Sequence, residues 1–399
     1  MKKLEEQIKL SEEILTNPDK INSVIKEDLR KIKKEYGIPR RTEIREELEE
    51  IKVDTTRMIP KEQVVVVVTN EGYIKKVPQR SYNTAKEEET TLKENDYVTG
   101  LYNITTTDTL LLFTNLGNYL YLPVYDIPEV KWKELGKHIS NIISLSPEEK
   151  VINSIPVYNF DEERYITSFT KNGMVKRTLL NEFKVQRYSK PIKMMNLKGT
   201  DEVISVTDST LSNVFIATSN GYGLWYDINE VPVVGIKAAG VKAISLKDDY
   251  VVSGILFDVA SEYLTILTDK GTAKRMRLTE LEKTSRAKRG ILLMKTIKSN
   301  PSKIIKAYII NSKNQIGIVS DDYSKIVKLT EISIMDRYSN GSYIIKDRII
   351  DSYIVSELIS KEDKEEVTEE IVVEKKQISL SEIDDKLSNI DSIIKDINE

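Results

Sequence analysis

The sequence predicts a mainly β protein: a six-bladed β-propeller-like disc over residues 61–350, with a short helical segment before it and an acidic, partly helical tail after it. Three observations carry that expectation. A hairpin phrase recurs six times, a second glycine keeps a fixed distance from the first, and helical periodicity is confined to the two ends.

The phrase is an apolar strand, then Thr/Ser-x-x-Gly, then a second strand. It reads VVVVVTNEG up to Gly72, LLLFTNLG up to Gly117, YITSFTKNG up to Gly173, VFIATSNG up to Gly221 and YLTILTDKG up to Gly271. A sixth copy, QIGIVSDDY, has Tyr323 where glycine stands in the others. The steps between these positions are 45, 56, 48, 50 and 52 residues. Glycine at a hairpin tip supplies the positive φ that tight turns require. A unit of this length is too small to bury a core alone, and a regular array of such units is the mark of a radial β architecture. Gly136, Gly240 and Gly290 each lie 19 residues beyond a turn glycine, an offset that unrelated hairpins have no reason to keep.

Residues 1–60 read as helices. Asn17-Pro18 sets a helix start, and Ile21, Ile25, Leu29 and Ile32 follow on one face before Gly37 and Pro39. Such a stripe needs a partner, either a larger helical assembly or the neighbouring domain. Residues 351–399 turn acidic, with SKEDKEEVTEE from Ser360 to Glu370, a composition expected to be disordered. Ile383, Leu387, Ile390, Ile394 and Ile397 then mark an amphipathic terminal helix.

Composition removes whole classes of chemistry. There is no cysteine and one histidine, His138, so thiolate zinc sites, disulfides and multi-histidine metal centres are out of reach. No phosphate-cradling glycine loop or His-Glu-x-x-His is present, and no catalytic constellation stands out. No apolar run approaches the length of a membrane span, and Met1 opens no signal-peptide pattern, so a cytoplasmic, nucleoid-associated protein is expected.

The net charge of −3 conceals a partition: residues 1–60 are neutral, residues 61–350 carry +6 and residues 351–399 carry −9. Within the middle, basic residues follow the turn glycines: Lys75 and Lys76, Lys176 and Arg177, then Lys274, Arg275 and Arg277. Residues 171–198 hold eight basic side chains, Arg187 and Lys190 among them, against one acid. Residues 270–306 hold twelve, including Arg286, Lys288 and Arg289, against two. Arg80 in the first repeat and Lys131, Lys133 and Lys137 around Trp132 in the second complete the candidates. Placed on one rim, these charges would form a basic track for double-stranded DNA, neutralising phosphates without reading bases. Lysines on strand edges also deter edge pairing, and a protein-binding propeller scaffold is the alternative reading.

Repeat number, turn phrase and basic positions together resemble the C-terminal domain of the A subunits of bacterial type II topoisomerases, gyrase and topoisomerase IV. The resemblance implies a six-bladed β-pinwheel that bends DNA around its rim, in strand passage, decatenation and relaxation. Gly37, Arg40, Arg41 and Thr42 match the segment leaving the coiled coil of that family's breakage-reunion domain. Gln79 to Val98 lacks the Gln-Arg-Arg-Gly-Gly-Arg-Gly heptapeptide by which gyrase A subunits wrap DNA, and carries Glu87, Glu88 and Glu89 instead. Trp132, Lys133, Glu134, Leu135, Gly136 and His138 are similar to a segment of Gram-positive topoisomerase IV A subunits. The topoisomerase IV side is therefore expected, with a gyrase A domain carrying a degenerate box as the alternative. The resemblance further implies a homodimer of A subunits, with B subunits supplying ATP hydrolysis and Mg2+. It places the catalytic tyrosine upstream of this region, which itself needs no cofactor.

Overall fold

In a computed structural model, residues 1–38, 59–85, 89–295 and 301–361 are described. The chain divides into two compact units, residues 1–54 and 55–399. The first contains helices α1 (Lys2–Thr16) and α2 (Pro18–Tyr36). As the sequence predicts, Asn17 caps α2, its side chain accepting from the Asp19 backbone N–H at 3.1 Å, and Pro18 takes the first helical position. Ile25, Leu29 and Ile32 are exposed on α2. Arg40, Arg41 and Thr42 lie outside the described residues.

Among the described residues, the second unit is built of six sheets. The first shows the rule. Strands Gln63–Thr69 and Tyr73–Pro78 form the hairpin, Val98–Thr105 pairs on the inner side, and Lys137–His138, contributed by the next repeat, pairs on the outer side. The hairpins of the following sheets are Thr109–Thr114 with Asn118–Pro123, Tyr165–Thr170 with Met174–Leu179, Asn213–Thr218 with Tyr222–Asp227, and Tyr263–Thr268 with Thr272–Arg277. Each again receives its outermost two-residue strand from the next repeat. The last sheet, with hairpin Gln315–Ser320 and Ser324–Lys328 and inner strand Ile349–Ile354, has three strands.

The recurring phrase has a physical reason in each word. Thr69, Thr114, Thr170 and Thr218 accept the N–H four residues on through Oγ1, at 3.1–3.3 Å. Each turn glycine has positive φ, from +72° to +92°, and donates its N–H back to the threonine carbonyl. The five valines are all buried because this strand is covered on both faces. Val64, Val66 and Val68 pack on the second blade while Val67 packs with Val77 and Trp132.

The second glycine series marks the exchange itself. A Cβ on Gly136, Gly240, Gly290 or Gly341 would lie 2.2–2.6 Å from a backbone oxygen of the preceding blade, and all four have positive φ. The chain must press against its neighbour there before forming the outer strand. Gly290→Ala is expected to cost at least about 2 kcal/mol, read as a lowered midpoint of thermal unfolding. A wild-type midpoint would contradict the close approach to the Gly223 carbonyl.

Hydrogen bonds between the inner parts of adjacent blades run the whole way round. Tyr102 Oη donates to the Ser154 carbonyl at 2.8 Å, Asn153 Nδ2 to the Val206 carbonyl, and Ser205 Oγ to the Gly254 carbonyl at 2.9 Å. The Ala307 N–H donates to Ser253 Oγ at 2.9 Å and Tyr308 Oη to Ser352 Oγ at 3.0 Å. Tyr97 Oη donates to Asp351 Oδ2 at 2.8 Å, joining the last blade to the first, and Tyr97 stacks on Tyr353. The ring is closed. Beyond the seam, the Asn103 N–H donates to the Ile359 carbonyl and the Ile359 N–H to the Leu101 carbonyl. The blades therefore run past the expected boundary at 350, and residues 351–361 join the ring rather than the tail. The terminal helix expected after residue 380 lies outside the described residues.

Candidate nucleic-acid interface

The positions after the turn glycines are not the rim. Adjacent residues of a strand point to opposite faces, and both faces of these strands are covered by neighbouring blades. Lys75, Lys76, Lys176, Lys274 and Arg275 are consequently buried. The sequence-based placement of these five on a DNA track is corrected: each is a staple holding the next repeat onto its blade.

Lys75 Nζ donates to Thr90 Oγ1 and to the carbonyls of Trp132 and Glu134, at 2.6, 2.6 and 2.5 Å. Lys274 Nζ donates to the carbonyls of Leu293, Asp336 and Arg337 at 2.8, 2.9 and 2.7 Å. Lys176 Nζ donates to the carbonyls of Met194 and Ile236. Burial pushes all three ammonium groups down from 10.5 to about 8, so at neutral pH they are still protonated donors. One residue further on, Lys76 Nζ donates to the Tyr125 carbonyl at 2.9 Å and Arg275 Nε to the Ile332 carbonyl at 2.9 Å. Tyr125 lies in the short helical turn that follows the next hairpin, and Ile332 caps the corresponding turn after the sixth hairpin. Half-buried Arg177 lies 4.1 Å over the Tyr165 ring. Blades two and four put buried Leu120 and Leu224 at the first of these positions, so the staple is confined to odd blades.

Exposed basic residues gather in the connectors, the segments that cross to the neighbouring blade just before each outer strand, while others such as Lys150, Lys198, Lys247 and Lys270 lie elsewhere. Residues 184–193 carry Lys184, Arg187, Lys190 and Lys193, all exposed, and no acid. Residues 232–242 add exposed Lys237 and Lys242, again without an acid. Residues 282–292 carry Lys283, Arg286, Lys288 and Arg289 against Glu282. In residues 128–138, Lys131, Lys133 and Lys137 are exposed while Trp132 is buried edge-on against Tyr82. The candidates Arg80 and Arg277 are also exposed.

Neighbouring connectors touch. Arg286 Nε donates to the Glu230 carbonyl at 3.0 Å and its Nη1 to the Lys242 carbonyl, while the Ser245 N–H donates to the Lys288 carbonyl at 2.9 Å. Lys283 pairs with Asp227 at 2.8 Å, and Arg289 stacks 4.3 Å over Tyr222. These contacts fix part of the charge along the connectors of repeats four and five. Lys184, Lys193, Lys237, Lys242 and Lys283 were not singled out from the sequence. The 19-residue glycine offset could have found most of them, because it locates the exchanged strand and the exposed connector before it.

Where gyrase A subunits have their heptapeptide, residues Gln79–Ala85 form a third helix, α3, against blade one. Glu87 and Glu88 lie outside the described residues. Among the described residues no cluster of metal-ligating side chains exists, and no helix is long and apolar enough to cross a membrane.

The sequence profile of the DNA gyrase C-terminal domain, beta-propeller, matches residues 63–86, 108–157, 164–207, 212–257 and 262–311. The chain is 42% identical over 349 residues to the DNA topoisomerase 4 A subunit of Bacillus subtilis, covering 87% of this chain and 43% of that protein. It is 37% identical over 346 residues to the DNA topoisomerase 4 A subunit of Staphylococcus epidermidis, covering 86% and 43%. It thus spans less than half the length of these curated relatives. A crystal structure of the C-terminal domain of DNA topoisomerase IV superposes with a TM-score of 0.72 at 40% identity, covering 74% of this chain and 94% of that one. The exchanged strands, the repeat spacing and these likenesses agree: the chain belongs to the family of DNA gyrase C-terminal-domain β-propellers, among its topoisomerase IV A-subunit members.

Proposed function

We propose that this chain is the DNA-binding and DNA-bending part of a type II topoisomerase A subunit, holding duplex DNA against the connectors for strand passage, decatenation and relaxation. The observation that carries the reading is the succession of acid-poor basic connectors at equivalent positions of repeats three, four and five. A duplex carries regularly spaced phosphates, and neutralising several at once releases counterions. Among the described residues no recognition helix or base-reading aromatic pair accompanies the charges, so the preference is for shape and bendability rather than sequence.

In this reading two A subunits pair as a homodimer in the cytoplasm, and ATP and Mg2+ act through the B subunits. Residues 79–85 are helical where a wrapping box would stand, which favours bending over gyrase-type wrapping. Nicking and religating a plasmid in the presence of the chain should leave a small linking-number change. A large positive change would place it with gyrase. No salt-sensitive DNA binding at all would leave a protein-binding scaffold.

A further inference from the structure

Five of the six blades have their outer hairpin strand covered by a strand from the next repeat, and the sixth does not. Its strand Ser324–Lys328 is the free edge of a three-stranded sheet among the described residues, with Ser324, Lys325 and Ile326 exposed. Elsewhere the covered positions are the first two after the turn, as where Tyr73 pairs with His138 and Ile74 with Lys137. An edge of unpaired backbone groups beside an exposed isoleucine is a template for another strand.

We propose that residues 371–373 of this chain, Ile-Val-Val, add to that edge and complete the sixth blade. Three observations favour this occupant. The β-branched triplet is flanked by Glu369, Glu370 and Glu374, which complement exposed Lys325 and Lys328. The chain is anchored at Ile359 beside blade one, the blade joined to the sixth. The twelve Cα-to-Cα steps from Ile359 to Ile371 reach about 40 Å when extended, against about 14 Å for three strand spacings. A second copy of the same edge fits poorly, because antiparallel two-fold pairing about Ile326 and Val327 would set Lys325 against Lys328.

The absence of native cysteine makes the test direct. Full chains carrying Ser324→Cys or Lys325→Cys, each combined with Ile371→Cys, Val372→Cys or Val373→Cys, are oxidised mildly and run under non-reducing conditions. An intrachain disulfide in at least one combination is expected. Disulfides only between chains would overturn the proposal in favour of a second copy, and none at all would overturn it outright. Independently, Val372→Pro removes a backbone donor from the triplet. It should speed amide exchange at residues 324–328 by about tenfold, the scale of one to two net hydrogen bonds. Equal exchange in the two proteins would also overturn it.

Discussion

Lys274→Ala is expected to destabilise the blade unit by about 3 kcal/mol and to leave the salt dependence of DNA binding unchanged. Its ammonium joins three carbonyls from two repeats, Leu293 on one side and Asp336 and Arg337 on the other. Removing it leaves buried acceptors without a donor, which costs more than the bond itself contributed, and empties a fully buried volume. Lys274→Met restores most of the volume but not the donor, so it should recover only part of the loss. Thermal unfolding and duplex titration on the same preparations separate the roles. A stable Lys274→Ala protein whose logarithmic salt slope had dropped by about 0.9 would return this lysine to the DNA surface.

The second large effect is expected at the connector of repeat three. Replacing Lys184, Arg187, Lys190 and Lys193 together by alanine should reduce the salt slope by about 3 to 4, and weaken binding at low salt on the order of a hundredfold. All four are exposed and stand in a segment without an acid, so stability should change by no more than about 1 kcal/mol. Circular dichroism confirms folding, and fluorescence anisotropy of a labelled duplex gives the affinity. Wild-type affinity in the quadruple variant would move the DNA path off this connector.

The two predictions differ because the sequence made one feature legible and concealed the other. The Thr-x-x-Gly phrase is read correctly as a turn, since threonine oxygen and glycine φ are local requirements that each repeat must meet itself. Ring size follows from counting the phrases. Burial of the following lysines is not local: it depends on a strand arriving from the next repeat, and on both blade faces being covered. Lys75 and Lys76 are neighbours in sequence and therefore point to opposite faces, so one rim could never have held both. Isolated lysine-rich strands look like surface, and only the carbonyls that converge on Lys75, Lys176 and Lys274 show otherwise.

The connectors were half legible. Arg187, Lys190, Arg286, Lys288 and Arg289 stand out from charge density alone, whereas Lys237 and Lys242 sit among alanine, glycine and valine and are too sparse to notice. What identifies them is topology, since they precede an exchanged strand in the same way as their neighbours. Ring closure was not legible at all. It rests on Tyr97, Asp351 and Tyr353, separated by more than 250 residues and bearing no motif.

The most direct measurement is the dependence of duplex affinity on salt for the unaltered chain, with two DNA sequences of equal length. A DNA path along several connectors requires a log–log slope of about −4 or steeper, the same for both sequences. A slope near zero, or binding of one sequence only, would contradict an electrostatic track built on the connectors.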